Sequence, residues 1–532
     1  MPTNFFTPDP FGPRPNFDNF PRWKERLPKF DLPPLHIKYG PATVRILIMV
    51  DGSISYDDTQ GFALGIALTD AFDIAHPEHP SYARFEFVKA HRDSVPGVTA
   101  GYDTFTFTSG CLDGFDELWL FGIVGGTPYL TPAEVTVIET FMDAGGGVLA
   151  MGDHEDLGLG LCGGIKRVRS MRKWWFVSPP PPAGMEVAPD NADLSRNDTV
   201  HAPTPGANVN TGEQYDATPQ TIYPNYRYRN RRYSFGSSNW VKYPHPVLCG
   251  PRGAIRVLPD HQHEGDCILP HASFAAEFPG GVGVEVVARG RNVVGREKEG
   301  FVITEPREFG LIGAWDGHEA TTDDGRVLVD STWHHWFNVN LTGLRAEDGV
   351  EYADILAYFR NCAVWLAPKT KQRRMRLAGT LVALALPTSI EQTYTLREFR
   401  PELLYQTGIF ARDAVGKVAS RCQSSAWLFE LLSPVFPKLF LEMLDPKHLS
   451  RRADQAHDLE QQVATLALDH MGTTLLGGAI NSIAMKVNRT KLADWADLHD
   501  EMDGLALEGA KKALDLSQTQ LKRAAKLLST LA

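Results

Sequence analysis

The apolar positions of the chain fall into two regimes. From residue 43 onward, short β-branched runs alternate with segments of helical spacing. TVRILIMVD (43–51) is a continuous apolar run that ends on an acid, and predicts a strand covered on both faces. DDTQGFALGIALTDAF (57–72) has helical spacing with Asp57 or Asp58 as the cap. ARFEFVKA (83–90) alternates as a strand, DTFTFT (103–108) does so more weakly, and DELWLFGIVGG (116–126) is a strand running into a glycine loop. TPAEVTVIETFMDAGGG (131–147) predicts a helix: Thr131 caps it, Pro132 opens it, Glu134 completes a capping box and the glycines stop it. GVLAMGDH (147–154) is a further strand. Strand runs return at GAIRVLP, GVEVVARG, FGLIGAW and GRVLVD, and EYADILAYFRNCAVWLAP (351–368) is an amphipathic helix. Strands alternating with helices predict an α/β fold, flavodoxin-like, with a mainly parallel sheet covered on both faces.

Three stretches stand outside that rhythm. Residues 1–42 hold ten prolines and read as an extended arm. Residues 177–245, with PPPP and then a Tyr/Arg run from Tyr223 to Tyr233, read as an irregular insertion in a domain spanning 43–368. Beyond Pro368, over 369–532, Leu and Ala recur at helical spacing, predicting an all-helical module for which self-association into a homo-oligomer is the expected role. Within it Leu428–Leu444 is apolar, but Pro434 and Pro437 interrupt it and three charges fall inside, which predicts a buried helix pair and not a membrane span.

Composition narrows the function classes. A net charge of −11, from 53 basic and 64 acidic residues, argues against a broad nucleic-acid-binding surface. With no membrane-length apolar run, no signal-peptide pattern and six scattered cysteines, the expectation is a cytoplasmic protein with reduced thiols.

Ligand-type residues concentrate in four segments that each follow a predicted strand: Asp153-His154-Glu155, Asp260-His261-Gln262-His263-Glu264, Asp316-Gly317-His318-Glu319 and Asp330 through His335. Each segment ends a strand of the predicted parallel sheet, so all four are expected to converge on one sheet edge, where such folds bind ligands. Imidazole and carboxylate together suit a divalent transition metal, zinc first, with His154, His261, His263, Glu264 and His334 as ligands. Asp153, His154, Glu155, His318 and His335 are then the acid–base and catalytic candidates. Capping of loops and helices is the ordinary alternative for such residues.

The order VRILIMVDG, DELWLFGIVGG, FMDAGGGVLAMGDHEDLG resembles the class I glutamine amidotransferase-like superfamily, and within it the ThuA-like branch. That resemblance implies a strand-to-helix elbow at His154, where relatives carry a cysteine or histidine. It implies a Gly125-Gly126 loop whose backbone N–H groups face the substrate. It also implies that the ending GRVLVDSTWHH brings His334 or His335 to the site. Asp51, at the end of the first strand, and the cations Lys166 and Arg169 are further substrate-binding candidates, the latter as an anion clamp. Gly160-Leu161-Cys162-Gly163-Gly164 offers a competing thiol nucleophile, against the plainer reading of a packed cysteine. The function expected is a hydrolase with a His/carboxylate, metal-assisted site for a small polar, sugar-like or anionic substrate. The alternative is a non-catalytic ligand sensor that controls the helical module.

Overall fold

A computed structural model describes residues 41–375 apart from several short stretches, the longest being 189–198, 200–217 and 229–241, and in the C-terminal part chiefly 473–486 and 495–531. Residues 1–40 of the arm, His263, the Leu428–Leu444 stretch and residues 229–233 of the Tyr/Arg run lie outside the described residues.

The strands are β1 (Ala42–Val50), β2 (Ala83–His91), β3 (Glu117–Phe121), β4 (Gly147–Met151), β5 (Tyr223–Pro224), β6 (Glu285–Arg291), β7 (Glu308–Trp315) and β8 (Val327–Asp330). They form one eight-stranded sheet in the order β2-β1-β3-β4-β8-β7-β6-β5. The five strands from β2 to β8 are parallel, and β7, β6 and β5 continue antiparallel. The expected α/β, flavodoxin-like architecture is therefore present, with an antiparallel extension on one side.

β1 explains how both faces are filled. Val44, Ile46, Ile48 and Val50 join a core with α1 (Gly65–Phe72), α3 (Asn338–Glu347) and α4 (Val350–Leu366). Leu47 and Met49, on the other side of the pleat, join a second core with α2 (Pro132–Asp143). The capping box of α2 forms as its sequence predicts, Thr131 accepting from the Glu134 backbone and Glu134 from that of Thr131. The α1 cap does not: the helix begins at Gly65 after Leu64, and Asp57 instead accepts from Thr59 in the preceding turn. DTFTFT is not a strand, and GAIRVLP is reduced to two-residue pairings outside the main sheet.

Of the helical module, α5 (Trp495–Leu531) is described, with Ala506, Ala510, Ala513 and Leu514 on its buried side and Gly509 against Gly478. Among the described residues no helix is long and apolar enough to cross a membrane.

β3 opens on Glu117, which is fully buried and accepts from Trp119 Nε1 at 2.8 Å. Burial, with Asp116 next to it, raises its pKa well above the usual carboxylate value. A folded-state pKa above the unfolded one means that its stabilising contribution is full at low pH and is lost as pH rises through the folded value. Glu117→Gln keeps the acceptor for Trp119 and removes the titration. It should stabilise the protein by about 1 kcal/mol or more at pH 8. Denaturant titrations of both proteins should converge near pH 4; a variant no more stable at pH 8 contradicts this account.

Candidate metal centre

The site lies beyond the carboxyl ends of β4 and β8. After Met151 the chain turns at Gly152, where a Cβ would run into the Leu157 carbonyl and the Trp174 ring, so only glycine lets the elbow close. Asp153 and His154 follow. Glu155 holds the positive φ of 53°, one residue beyond the position that the resemblance implies, and is half-buried. β8 ends on Asp330, and the turn after it carries His334 and His335. The loop after Pro259 brings in His261 and Glu264.

Asp153 Oδ2 lies 2.9 Å from His154 Nδ1, 3.3 Å from His261 Nε2 and 3.9 Å from His334 Nε2. One ligand atom each from Asp153, His261 and His334 falls within 4.8 Å of the others. The His261 and His334 rings stack at 3.4 Å between centroids. Donors held about 2.0–2.1 Å from a tetrahedral ion are ~3.4 Å apart, so this spacing suits one ion.

The electrostatics match that donor set. Burial alone would raise the Asp153 carboxyl, but the His261 and His154 rings more than offset it and hold the acid well below its usual range. Burial pushes His261 down, with Asp153 opposing. Burial and the neighbouring His261 push His334 well below the ordinary imidazole value. These directions favour an ionised carboxylate beside uncharged imidazoles, the protonation states that metal ligation requires.

His335 and Glu264 sit beside this triad, not in it. His335 Nδ1 is 2.6 Å from Asp330 Oδ1, and its Nε2 is 3.7 Å from Glu264 Oε1. Burial opposes its charge, yet Asp330 and Glu264 carry its pKa up to about 10. Glu264 in turn accepts from Gln220 at 2.6 Å and from Thr199 at 3.2 Å. Gln220 and Thr199 come from the insertion, so that segment helps to frame the site. No sequence signal marks either of them.

Arg172 underlies the whole arrangement. It is buried, its guanidinium donates to the backbone carbonyls of Asp153, Ser331 and Lys173, and it lies 4.3 Å from the Trp174 ring centre.

Other expectations are corrected. His318 is not at the site. β7 runs antiparallel to β8, with Trp315 opposite Val327, so the 316–326 connection lies at the opposite edge of the sheet. There Asp316 pairs with Arg326, and burial with the Arg326 charge lowers His318 to about 2. Lys166 and Arg169 form no anion clamp. Lys166 pairs with Asp143 at 2.6 Å and Arg169 is bonded to Glu277, while Arg167 beside them binds Asp143 and Asp324. Asp51 is buried with its oxygens taken by the Ile123 N–H at 2.6 Å and the Tyr129 hydroxyl at 2.8 Å, so it shapes the glycine loop from beneath. That loop is itself engaged: Gly126 N donates to Asp156 at 2.6 Å, and a Cβ at Gly125 would strike the same carboxylate.

Cys162 is fully buried against the Met151 carbonyl, and burial, with Asp51, pushes its thiol up. In the native protein Cys162 should resist iodoacetamide until denaturant is added, and Cys162→Ser should leave metal uptake within about threefold of the parent protein. Peptide mapping after labelling checks the first expectation; stoichiometric native alkylation refutes it.

No protein-family model matches the chain, and neither does any curated protein. A crystal structure of a ThuA-like protein from Bacteroides uniformis is similar over 62% of this chain and 94% of that one, at 11% identity and a TM-score of 0.29. At that TM-score the likeness carries no argument about family or activity.

Proposed function

We propose that the protein is a metal-assisted hydrolase acting on a small polar, sugar-like or anionic substrate, with Asp153, His261 and His334 holding a divalent transition ion, zinc first. One observation carries the reading: two imidazoles and a carboxylate, each buried and each delivered by a different loop, bring ligand atoms within 4.8 Å of one another. A bound divalent cation supplies a Lewis acid and acidifies water near neutral pH. The chain supplies the rest. His154 is the most open member of the cluster, its side chain 12% exposed. With Nδ1 held on Asp153, its ring is the one we assign to take or give a proton toward a substrate. Phe62, Trp333 and Phe337 pack around His334 and exclude water from that side.

The burial of the triad also favours a second reading, in which the ion or a ligand is bound without turnover. Elemental analysis after zinc reconstitution, followed by assays on small ester, amide, phosphate and glycoside substrates, tests both. About one zinc per chain with chelator-sensitive hydrolysis supports the enzyme. One zinc without turnover supports the sensor, and no zinc removes the metal-assisted enzyme.

A further inference from the structure

We infer that Asn340 is a positioning residue that presets His334 for metal binding, an inference that rests on the metal-site reading above. Asn340 lies in the first turn of α3 and is 1% exposed. Its Nδ2 donates to the Asp260 carbonyl at 2.8 Å. A backbone carbonyl only accepts, so this bond fixes which end of the amide faces which way. The other end, Oδ1, therefore faces His334 Nδ1, at 2.5 Å. Oδ1 only accepts as well, so Nδ1 of His334 carries the proton and donates it.

The consequence lies at the other ring nitrogen. With the proton held on Nδ1, the lone pair of His334 is on Nε2, the atom that faces Asp153 Oδ2 across 3.9 Å. A lone pair and a carboxylate oxygen set toward each other repel, and a shared cation between them removes the repulsion. Asn340 also ties two ligand loops together. Asp260, whose carbonyl it holds, immediately precedes His261, whose ring stacks on that of His334. One amide thus selects the tautomer of one ligand and anchors the loop of another, the role that outer partners of metal-bound histidines play.

The test uses the full chain with Asn340→Leu, which removes both hydrogen bonds at similar volume, and Asn340→Asp, which keeps the acceptor facing His334. Zinc affinity is read by competition with a chromophoric chelator. The tautomer is read in metal-free protein by nitrogen NMR of labelled histidine, with His334 assigned from His334→Gln. Asn340→Leu should weaken zinc by about 10- to 100-fold and move the His334 proton off Nδ1, whereas Asn340→Asp should keep the Nδ1 proton and, having lost only the bond to the Asp260 carbonyl, bind more tightly than Asn340→Leu. If Asn340→Leu fails to fold, an Asn340→Asp protein whose His334 proton has left Nδ1 overturns the inference on its own. A parent protein that binds zinc alongside an Asn340→Leu variant that binds equally well overturns the role of Asn340 alone. A parent that takes up no zinc yet keeps the Nδ1 proton overturns the metal reading, and with it the purpose assigned to Asn340.

Discussion

Asp153→Asn should cost at least about 100-fold in zinc affinity, because it removes the charge at the centre of the donor set while keeping the side chain's shape. Asp153 Oδ2 is the common neighbour of three imidazoles, at 2.9, 3.3 and 3.9 Å. The amide can still accept from His154, so the local packing survives and the loss is read as a loss of ligation. A thermal-melt series with added zinc makes the effect plain. At a zinc concentration of 100 times the parent's Kd, the parent gains about 2.7 kcal/mol by mass action, and the variant should gain less than about 0.5 kcal/mol. His154→Ala is the paired control. If His154 moves protons and does not ligate, that variant keeps zinc within about threefold and loses turnover. Zinc stabilising Asp153→Asn as much as the parent contradicts the assignment of the triad.

Three of the four predicted loop segments meet, and the reason the fourth does not was open to sequence reasoning. FGLIGAW and GRVLVD are separated by only nine residues, 316–324, too few for the crossover that parallel strands need. An antiparallel pair was the better inference, and it sends His318 to the far edge. The parallel strands β1, β3 and β4 were legible because burial on both faces leaves continuous apolar runs. The insertion was not. Gln220 and Thr199 act through side-chain hydrogen bonds to Glu264 and to the residues around it, and an isolated polar residue in an irregular stretch carries no periodicity. The cation cluster misled for a related reason: spacing along the chain shows that Lys166 and Arg169 are close together, but not that Asp143 and Glu277 already neutralise them. Arg172 belongs to the same run and points the other way, into the core below the ligands.

That residue carries the largest expected effect on stability. The Arg172 guanidinium is desolvated, and it ties the carbonyl of Asp153, on the β4 elbow, to that of Ser331, on the turn after β8. Burial lowers its pKa, partly opposed by Cys267 and Asp153, so its environment tolerates the charge only because the carbonyls and nearby anions compensate it. Arg172→Met fills much of the volume but removes the donor shared by the Asp153, Ser331 and Lys173 carbonyls, of which Ser331 keeps the Gly265 N–H at 3.2 Å, each lost bond worth about 1–3 kcal/mol. The total loss should be about 3–5 kcal/mol, the range found when one partner of a buried charged network is removed. Arg172→Lys should recover little of it, since an ammonium cannot reach the Asp153, Ser331 and Lys173 carbonyls in one plane as the guanidinium fork does. Denaturant unfolding of the metal-free proteins measures this directly. Because the two tied loops also bear Asp153 and His334, the zinc affinity of any Arg172→Met protein that folds should fall as well. A variant that unfolds within about 1 kcal/mol of the parent would mean that the β4 and β8 loops hold their places through packing alone.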